Sequence, residues 1–533
     1  MTRKEPEETM TDIIADMNLR DLWEDAAAAH PHKTFLVFQY RNGKTCEYSY
    51  CAFNEQINRT ANLFAELGIS KGDCVSVQIC NSPEFLLCLF GLVKLGAVMV
   101  PLHSKSTLPE FRHAITVCNA RLAVIEERLL DEYRQLQKDE GLLPDGIVLV
   151  RCHNTESGTA AQASGLPYFD ELKDRQPTQL KLAPPLDSMD TAEVIFTSGT
   201  TSQPKGVDLT HANLIFSGIY GIWQTSLRDS DRLLTAMPAC HSNFQMAALT
   251  PVLVAGATLI LLEHYSAHSF WQQIRDYRAT ITQCISMMVR TLLLQPVDTH
   301  EKDHQLREIL YFMPLTNEEK VAFEQRFAVR LLNSYGSTES IGWVITDPPH
   351  GKRRWPSVGR VGLGYEARIV DDKGAELPAH KTGEIQVKGI PGRSIMKGYY
   401  NDPEATRLAL DEEGWLHTGD KGYCDEDGWF YFVDRRANLI KRSGENISAT
   451  EIEMVLSAHP AIELAAVIGV PDPLRDEAVK AFIVVKNGAS LTVEEVLDYC
   501  RERLAAYKLP SFVEFRADLP RTCSMKIEKK KLH

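Results

Sequence analysis

The stretch Val194-Ile-Phe-Thr-Ser-Gly-Thr-Thr-Ser-Gln-Pro-Lys-Gly206 decides how the rest of the chain is read. Val194-Ile-Phe196 is a short apolar run of the kind that forms a buried strand. It passes directly into hydroxyl side chains, glycine and a lysine. Such a sequence offers backbone N–H groups and hydroxyl donors to phosphate oxygens, and Lys205 adds a point charge. It is not a Walker A loop, because G-x-x-x-x-G-K-[ST] is absent. The Gly-Lys-Thr at Gly43 to Thr45 has Phe38 where the first glycine belongs.

Outward from that loop, strand and helix signals alternate. Phe53, Ile57, Ala61, Phe64 and Leu67 fall on one helical face, and Gly68 follows as a C′ glycine. Cys74 to Ile79 reads as a strand. Ser82-Pro83 reads as an N-cap with proline at the first helical position, opening a helix that runs to Gly96. Val98–Val100, Leu122–Ile125 and Ala257–Leu262 continue the alternation, which predicts α/β layers. Arg151 to Gly165 is rich in Ser, Thr, Ala and Gly and reads as a surface excursion. Past Gly351 the segments shorten. Gly383–Val387 and Trp429–Val433 read as antiparallel strands. Beyond about Asp434 a small α+β unit is predicted, with capping boxes Thr450/Glu453 and Thr492/Glu495 opening helices. Between them, Ala465–Val470 and Ala481–Val485 read as strands.

Composition closes off several classes. The 533 residues carry 58 Lys plus Arg against 71 Asp plus Glu, a formal charge of −13, which argues against a broad nucleic-acid surface. With 44% hydrophobic residues the chain has ample material for a core. The charged start has no apolar signal segment. The long apolar run Met246 to Leu262 is broken by Thr250-Pro251 and Gly256, so a buried helix, turn and strand are expected there, and no integral membrane contact. Twelve cysteines stand singly with no metal spacing, which suggests a reducing, cytoplasmic setting.

The loop at 197–206 resembles the signature loop of the adenylate-forming enzymes: acyl- and aryl-CoA ligases, luciferases and the adenylation domains of peptide synthetases. Further motifs of that family stand in order. They are Asn333-Ser-Tyr-Gly-Ser-Thr-Glu339, Gly414-Trp-Leu-His-Thr-Gly-Asp420, Asp434-Arg435 with Ile440-Lys441 and Gly444-Glu-Asn446, and Pro520-Arg521 through Lys526. Within the family, Tyr265-Ser-Ala, Lys352 to Gly359 and Asp434-Arg-Arg436 resemble bacterial ligases that join CoA to carnitine, crotonobetaine or γ-butyrobetaine, with Met10 rather than Met1 matching their first residue. The fold this implies is α/β. Residues 1–434 would form a large multi-layer N-terminal body, with α/β subdomains and a small β-rich subdomain. Residues 435–533 would form a small, mobile α+β C-terminal domain.

The resemblance implies two steps: attack of a carboxylate on the α-phosphate of ATP, then attack of the CoA thiol on the acyl-adenylate. It implies ATP, Mg²⁺ and coenzyme A as the required small molecules, a carboxylic acid as substrate, and leaves self-association open. Lys526 takes the role of the catalytic lysine of step one. Glu339, with Thr200, is the metal-facing pair, and Thr338 lies beside them. Thr197, Ser198, Gly199, Thr200, Thr201 and Lys205 surround the phosphates. Asn333, Tyr335 and Gly336 form the adenine pocket, and Asp420 with Arg435 the ribose contacts. Lys441 would replace Lys526 after the small domain rotates. The acyl pocket falls to His241, Asn243, Phe244, Tyr311, Phe312 and Trp343. Aromatic residues at Tyr311-Phe312, where many members carry glycines, predict a small acid. Trp343 and Phe244, with one of Tyr311 or Phe312, would offer π-faces to a trimethylammonium group. A ligase for another short or medium acid shares these features. A silent nucleotide-binding homologue is suggested only by the departures Ser202, Ala437 and Met525, against which stand Lys526, Glu339, Asp420 and Lys205. Only seven residues follow Lys526, so no carrier domain is expected.

Overall fold

A computed structural model of the chain describes residues 14–151, 165–197, 204–312, 315–435, 438–442, 445–472, 476–504, 508–522 and 526–532. Among them the α/β layering takes the form of two large sheets. The first has seven strands, in the order Gly398–Tyr399, Lys205–Thr210, Thr191–Thr197, Val98–Pro101, Cys74–Gln78, Leu122–Glu126 and Gly146–Val150. The second has nine. Its order is Arg360–Val361, Gly342–Thr346, Leu331–Ser337, Glu308–Phe312, Ile281–Ile285, Arg232–Thr235, Thr258–Leu262, Thr34–Gln39 and Thr45–Ser49. Parallel pairs fill the interior of both sheets. Parallel strands are covered on both faces, and Cys74–Gln78, Leu122–Glu126, Thr258–Leu262 and Glu308–Phe312 are accordingly buried at every position.

The helices end where their capping residues dictate. Ser82 accepts from the Phe85 N–H, Pro83 opens the helix Pro83–Leu95, and Gly96 closes it at φ 70°. Helix Tyr50–Glu66 is followed by Gly68 at φ 85°. The apolar run from Met246 resolves into a π-turn Gln245–Leu249, a short helix Thr250–Ala255, a left-handed Gly256 and the strand Thr258–Leu262. No described helix is long and apolar enough to cross a membrane. The largest apolar cluster unites residues of both sheets, such as Val75, Val77, Leu259 and Leu261, with Phe53, Phe64, Phe90 and Leu253 from the intervening helices. Lys94 is wholly buried there, where its ammonium donates to Asn54 Oδ1 at 2.6 Å and Asn58 Oδ1 at 2.7 Å and pairs with Glu24.

A four-stranded antiparallel sheet (Glu366–Val370, Gly383–Lys388, Trp415–Cys424, Phe430–Arg435) follows. The final sheet contains Glu445–Ser448, Leu439–Arg442, Asp476–Val485, Ile462–Asp472 and Phe512–Phe515, with its own apolar clusters. One predicted cap is corrected. The helix Ala449–Ser457 is capped by Ser448, which accepts from the Glu451 N–H, and not by Thr450. The Thr450 N–H donates instead to Asp434 Oδ2 at 3.0 Å, and Ser448 Oγ donates to the same oxygen at 2.8 Å. The Thr492/Glu495 box is formed as expected. The excursion after Arg151 lies, from 152 to 164, outside the described residues.

His211 opens the helix His211–Thr225, fully buried, with Nδ1 accepting from the Leu19 N–H at 3.3 Å and Nε2 without a partner. Burial pushes its imidazole from 6.5 down to about 4. A depressed histidine is neutral in the fold, so its contribution is intact above pH 6.5. It is lost as pH falls toward 4, where the unfolded chain takes up the proton first. The cost over that window is about 3 kcal/mol. His211→Asn should flatten the acid limb of the stability–pH curve between pH 6.5 and 4, measured by urea titration.

Candidate active site

The loop that begins at Thr197 is closed at its base. Thr191–Thr197 pairs antiparallel with Lys205–Thr210, and Thr197 faces Lys205 across the ladder. Residues 198–203 lie outside the described set, and with them Ser198, Gly199, Thr200, Thr201 and Ser202. Lys205 leaves this hairpin half-buried and sets its ammonium 4.8 Å over the ring of Tyr399. Behind the loop, Glu193 is fully buried, accepts from Gln245 Nε2 at 2.6 Å, and is pushed up by desolvation to about 8. It therefore carries a proton at neutral pH, as a carboxyl sealed in an apolar wall must.

The second contributor is the strand Leu331–Ser337 and its return Gly342–Thr346. Their ladder bulges between Tyr335 and Gly336. At Gly336 a Cβ would lie 1.6 Å from the Gly342 carbonyl oxygen, so only glycine permits this approach. The bulge turns Tyr335 so that its hydroxyl donates to Asp420 Oδ2 at 2.7 Å, its ring 6.0 Å from Phe432. Asn333 is buried. Its amide N–H donates to the Ser357 carbonyl at 2.9 Å and its carbonyl accepts from the Ser334 N–H at 3.1 Å, so it holds the pocket wall from within. Asp420 pairs in the ladder with Arg435, whose side chain is outside the described set.

Glu339 is half-buried, and its Oε1 accepts from Tyr399 Oη at 3.1 Å. Thr338 hydroxyl lies 3.1 Å from Ser242. One carboxylate with a neighbouring hydroxyl suits a magnesium ion completed by phosphate oxygens and water, since Mg²⁺ takes one or two carboxylates beside substrate phosphates. Among the described residues no group of three or more metal-ligating side chains is gathered.

On the far side, His241 caps the short turn Ser242–Phe244 through Nδ1, which accepts from the Asn243 N–H at 3.3 Å. Its imidazole is pushed down to about 4, first by burial and then by the nearby Lys526 ammonium. Asn243 offers its carbonyl to Gln283 Nε2 at 2.8 Å. Phe312 and Trp343 stack at 4.4 Å, while Phe244 and Tyr311 have no exposed surface, the latter donating to Ser286 Oγ at 3.1 Å.

Lys526 sits in a stapled loop. Its carbonyl accepts from the Thr522 N–H at 2.7 Å, and Glu528 N–H donates to the Pro520 carbonyl at 2.8 Å. The basic tail beyond is docked. Lys529 pairs with Glu453 at 2.7 Å, and Leu532 is buried among Ala466, Phe482 and Leu519. Lys441 contributes backbone pairing with Asn446. Ala437, Gly444 and Met525 are outside the described residues. Two participants were missed by motif reading, Tyr399 and Glu193. The available signals were a tyrosine pair after Gly398 and an acidic residue inside an otherwise apolar strand.

Residues 23–400 match the family model of the AMP-binding enzyme, and residues 451–526 match that of the AMP-binding enzyme C-terminal domain. The chain is 49% identical to the crotonobetaine/carnitine–CoA ligase of Salmonella agona (strain SL483) over 98% of its own length and all of that protein's. The crotonobetaine/carnitine–CoA ligase of Citrobacter koseri stands at the same identity and coverage. Among solved structures, the anthranilate CoA ligase AuaEII in complex with anthranoyl-AMP is similar at TM-score 0.84 and 27% identity, covering 97% of this chain and 96% of that one. ATP-bound MatB from Rhodopseudomonas palustris is similar at TM-score 0.84 and 26% identity, covering 97% and 98%.

Glu453→Ala should release the loop that carries Lys526. Removing a partly buried carboxylate leaves Lys529 and the Val467 N–H without their acceptor, at a cost of about 1–3 kcal/mol. Hydrogen exchange of residues 526–532 should accelerate more than that of the strands Ile462–Asp472 and Asp476–Val485. Unchanged protection of 526–532 would assign the anchoring to Leu532 alone.

Proposed function

The chain belongs to the AMP-binding enzyme family, and from that premise we propose an ATP-dependent acid–CoA ligase acting on a small betaine acid: carnitine, crotonobetaine or γ-butyrobetaine. The observation that carries this reading is the end-to-end likeness to ligases of that name, beside family matches whose spans include both the phosphate-facing loop and Lys526. The enzyme forms an acyl-adenylate and pyrophosphate, then a thioester and AMP.

Step one brings two anions together, so the site must supply positive charge where they meet. Lys526 bridges the substrate carboxylate and the α-phosphate. A neutral His241 leaves that charge unopposed beside the carboxylate. Lys205 takes the outer phosphates. Tyr335 lies along the adenine, and Asp420 accepts from the ribose hydroxyls. Glu339, with Thr200, would hold Mg²⁺, which when bound neutralises phosphate charge. After AMP-anhydride formation, Lys441 takes the place of Lys526 while CoA attacks. We place the boundary between the two moving parts at 434/435. The ten described cysteines are free, and we place the enzyme in the cytoplasm.

The acid is held by the pocket that follows His241. Phe312 and Trp343 stack on each other, and Trp343 would offer a π-face to a trimethylammonium group, which such a ring attracts by roughly 0.5–2 kcal/mol. Phe244 and Tyr311 are fully buried, and the bulk of Tyr311 and Phe312 would shorten the pocket.

The deciding assay is AMP release from Mg-ATP, with and without CoA, across carnitine, crotonobetaine, γ-butyrobetaine, butyrate, octanoate and benzoate. Turnover requiring CoA and a trimethylammonium acid is expected. Turnover with the neutral acids alone would keep the chemistry and remove the betaine. Lys526→Ala should lower acyl-adenylate formation by roughly a hundredfold or more, while thioester formation from a supplied acyl-adenylate persists. Trp343→Leu should reduce the preference for γ-butyrobetaine over butyrate by roughly 2- to 30-fold, read as a ratio of kcat/KM values.

A further inference from the structure

The segment 396–400 touches both halves of the phosphate site and belongs to none of the motifs that define it. Its backbone is tied to the hairpin that carries Lys205. Tyr399 pairs with Val207, Gly398 with Asp208, and the Tyr400 N–H donates to the Gly206 carbonyl at 2.7 Å. Two residues earlier, the Met396 N–H donates to the Glu339 carbonyl at 2.9 Å. One short stretch therefore bridges the seven-stranded sheet and the turn that follows Leu331–Ser337 in the nine-stranded sheet. At its centre the Tyr399 side chain does two things at once. Its hydroxyl donates to Glu339 Oε1 at 3.1 Å, and its ring lies under the Lys205 ammonium at 4.8 Å.

We propose that Tyr399 is the positioning residue that keeps Glu339 and Lys205 apart and aimed, the first at a divalent cation and the second at phosphate. This rests on the reading of those two residues given above. A carboxylate and an ammonium placed beside one site would satisfy each other as an ion pair and so be lost to the ligand. Among the described ion pairs none joins them, and Tyr399 contacts both. The ring face attracts the ammonium without using any of its three N–H donors, which stay available to oxygen anions. The phenol O–H fixes one carboxylate oxygen and leaves the other to a metal, without cancelling the negative charge as a lysine or arginine would.

The test separates hydroxyl from ring. Tyr399→Phe keeps the face beneath Lys205 and removes the donor to Glu339. Tyr399→Leu removes both, and Glu339→Gln tests the underlying assignment. Two readouts are taken: the Mg²⁺ concentration giving half-maximal ATP–pyrophosphate exchange, and the affinity of Mn²⁺ for the enzyme–ATP complex by electron paramagnetic resonance, which needs no turnover. Tyr399→Phe should weaken both by about tenfold, the usual effect of losing a partner that orients a metal ligand. Its melting temperature and its metal-free ATP affinity should stay at wild-type values. Tyr399→Leu should in addition weaken metal-free ATP binding. In a Glu339→Gln background, Tyr399→Phe should have no further effect on Mn²⁺. Wild-type Mg²⁺ and Mn²⁺ dependence in Tyr399→Phe, with Glu339→Gln impaired, would overturn the proposal alone. Wild-type metal dependence in Glu339→Gln would overturn the assignment of Glu339 and the proposal with it.

Discussion

Cross-strand pairing of Thr197 with Lys205 is the constraint on which the site depends. It converts a polar loop into the tip of a hairpin whose two legs are sheet strands. The loop ends are thereby fixed to within a strand spacing, and a lysine is delivered at a set height above the sheet. The outer leg then serves as the template for Gly398–Tyr399, which reaches across to the Glu339 carbonyl two residues earlier in its own course. Backbone hydrogen bonds thus set the distance between residues more than a hundred positions apart, and side chains add only direction. That division suits a site that must hold a polyanion: the placement of Lys205 and Glu339 is settled by backbone pairing formed on folding rather than at the moment of binding.

How far the sequence alone discloses this depends on what kind of interaction decides each feature. The loop at 197–206 and the stretches Asn333–Glu339 and Gly414–Asp420 are recognisable because they match motifs in order, and at Gly336 the local backbone shape demands one residue type. No other residue fits there against the Gly342 carbonyl. Buried strands were equally readable from their apolar runs. What the sequence withheld were pairings across long separations. Thr450 and Glu453 have the spacing of a capping box, yet Asp434 engages the Thr450 N–H from sixteen residues away and Ser448 takes the cap. Glu453 is thereby free to meet Lys529, seventy-six residues later. Tyr399 escaped notice for the same reason, because its meaning comes from Glu339 and Lys205, which no local pattern links to it.

The acyl pocket shows the limit from another side. Trp343 and Phe244, with one of Tyr311 or Phe312, were the aromatic candidates in the sequence, and all four are buried in the fold. Tyr311 and Phe244 are sealed in the core, and Phe312 stacks with Trp343. Only packing decides which face of a ring remains for a ligand, and packing is a property of the whole sheet.

The docking of Leu532 into the apolar cluster of Ala466, Phe482 and Leu519 has a practical side. Six positions separate it from Lys526, and the 3₁₀ turn Lys529–Lys531 lies between. An affinity tag, fluorophore or surface tether joined behind Leu532 would pull on that turn each time it moved. The exposed thiol of Cys51, on the opposite end of the chain's course and away from the phosphate hairpin in sequence, is the better handle for immobilising or labelling the enzyme.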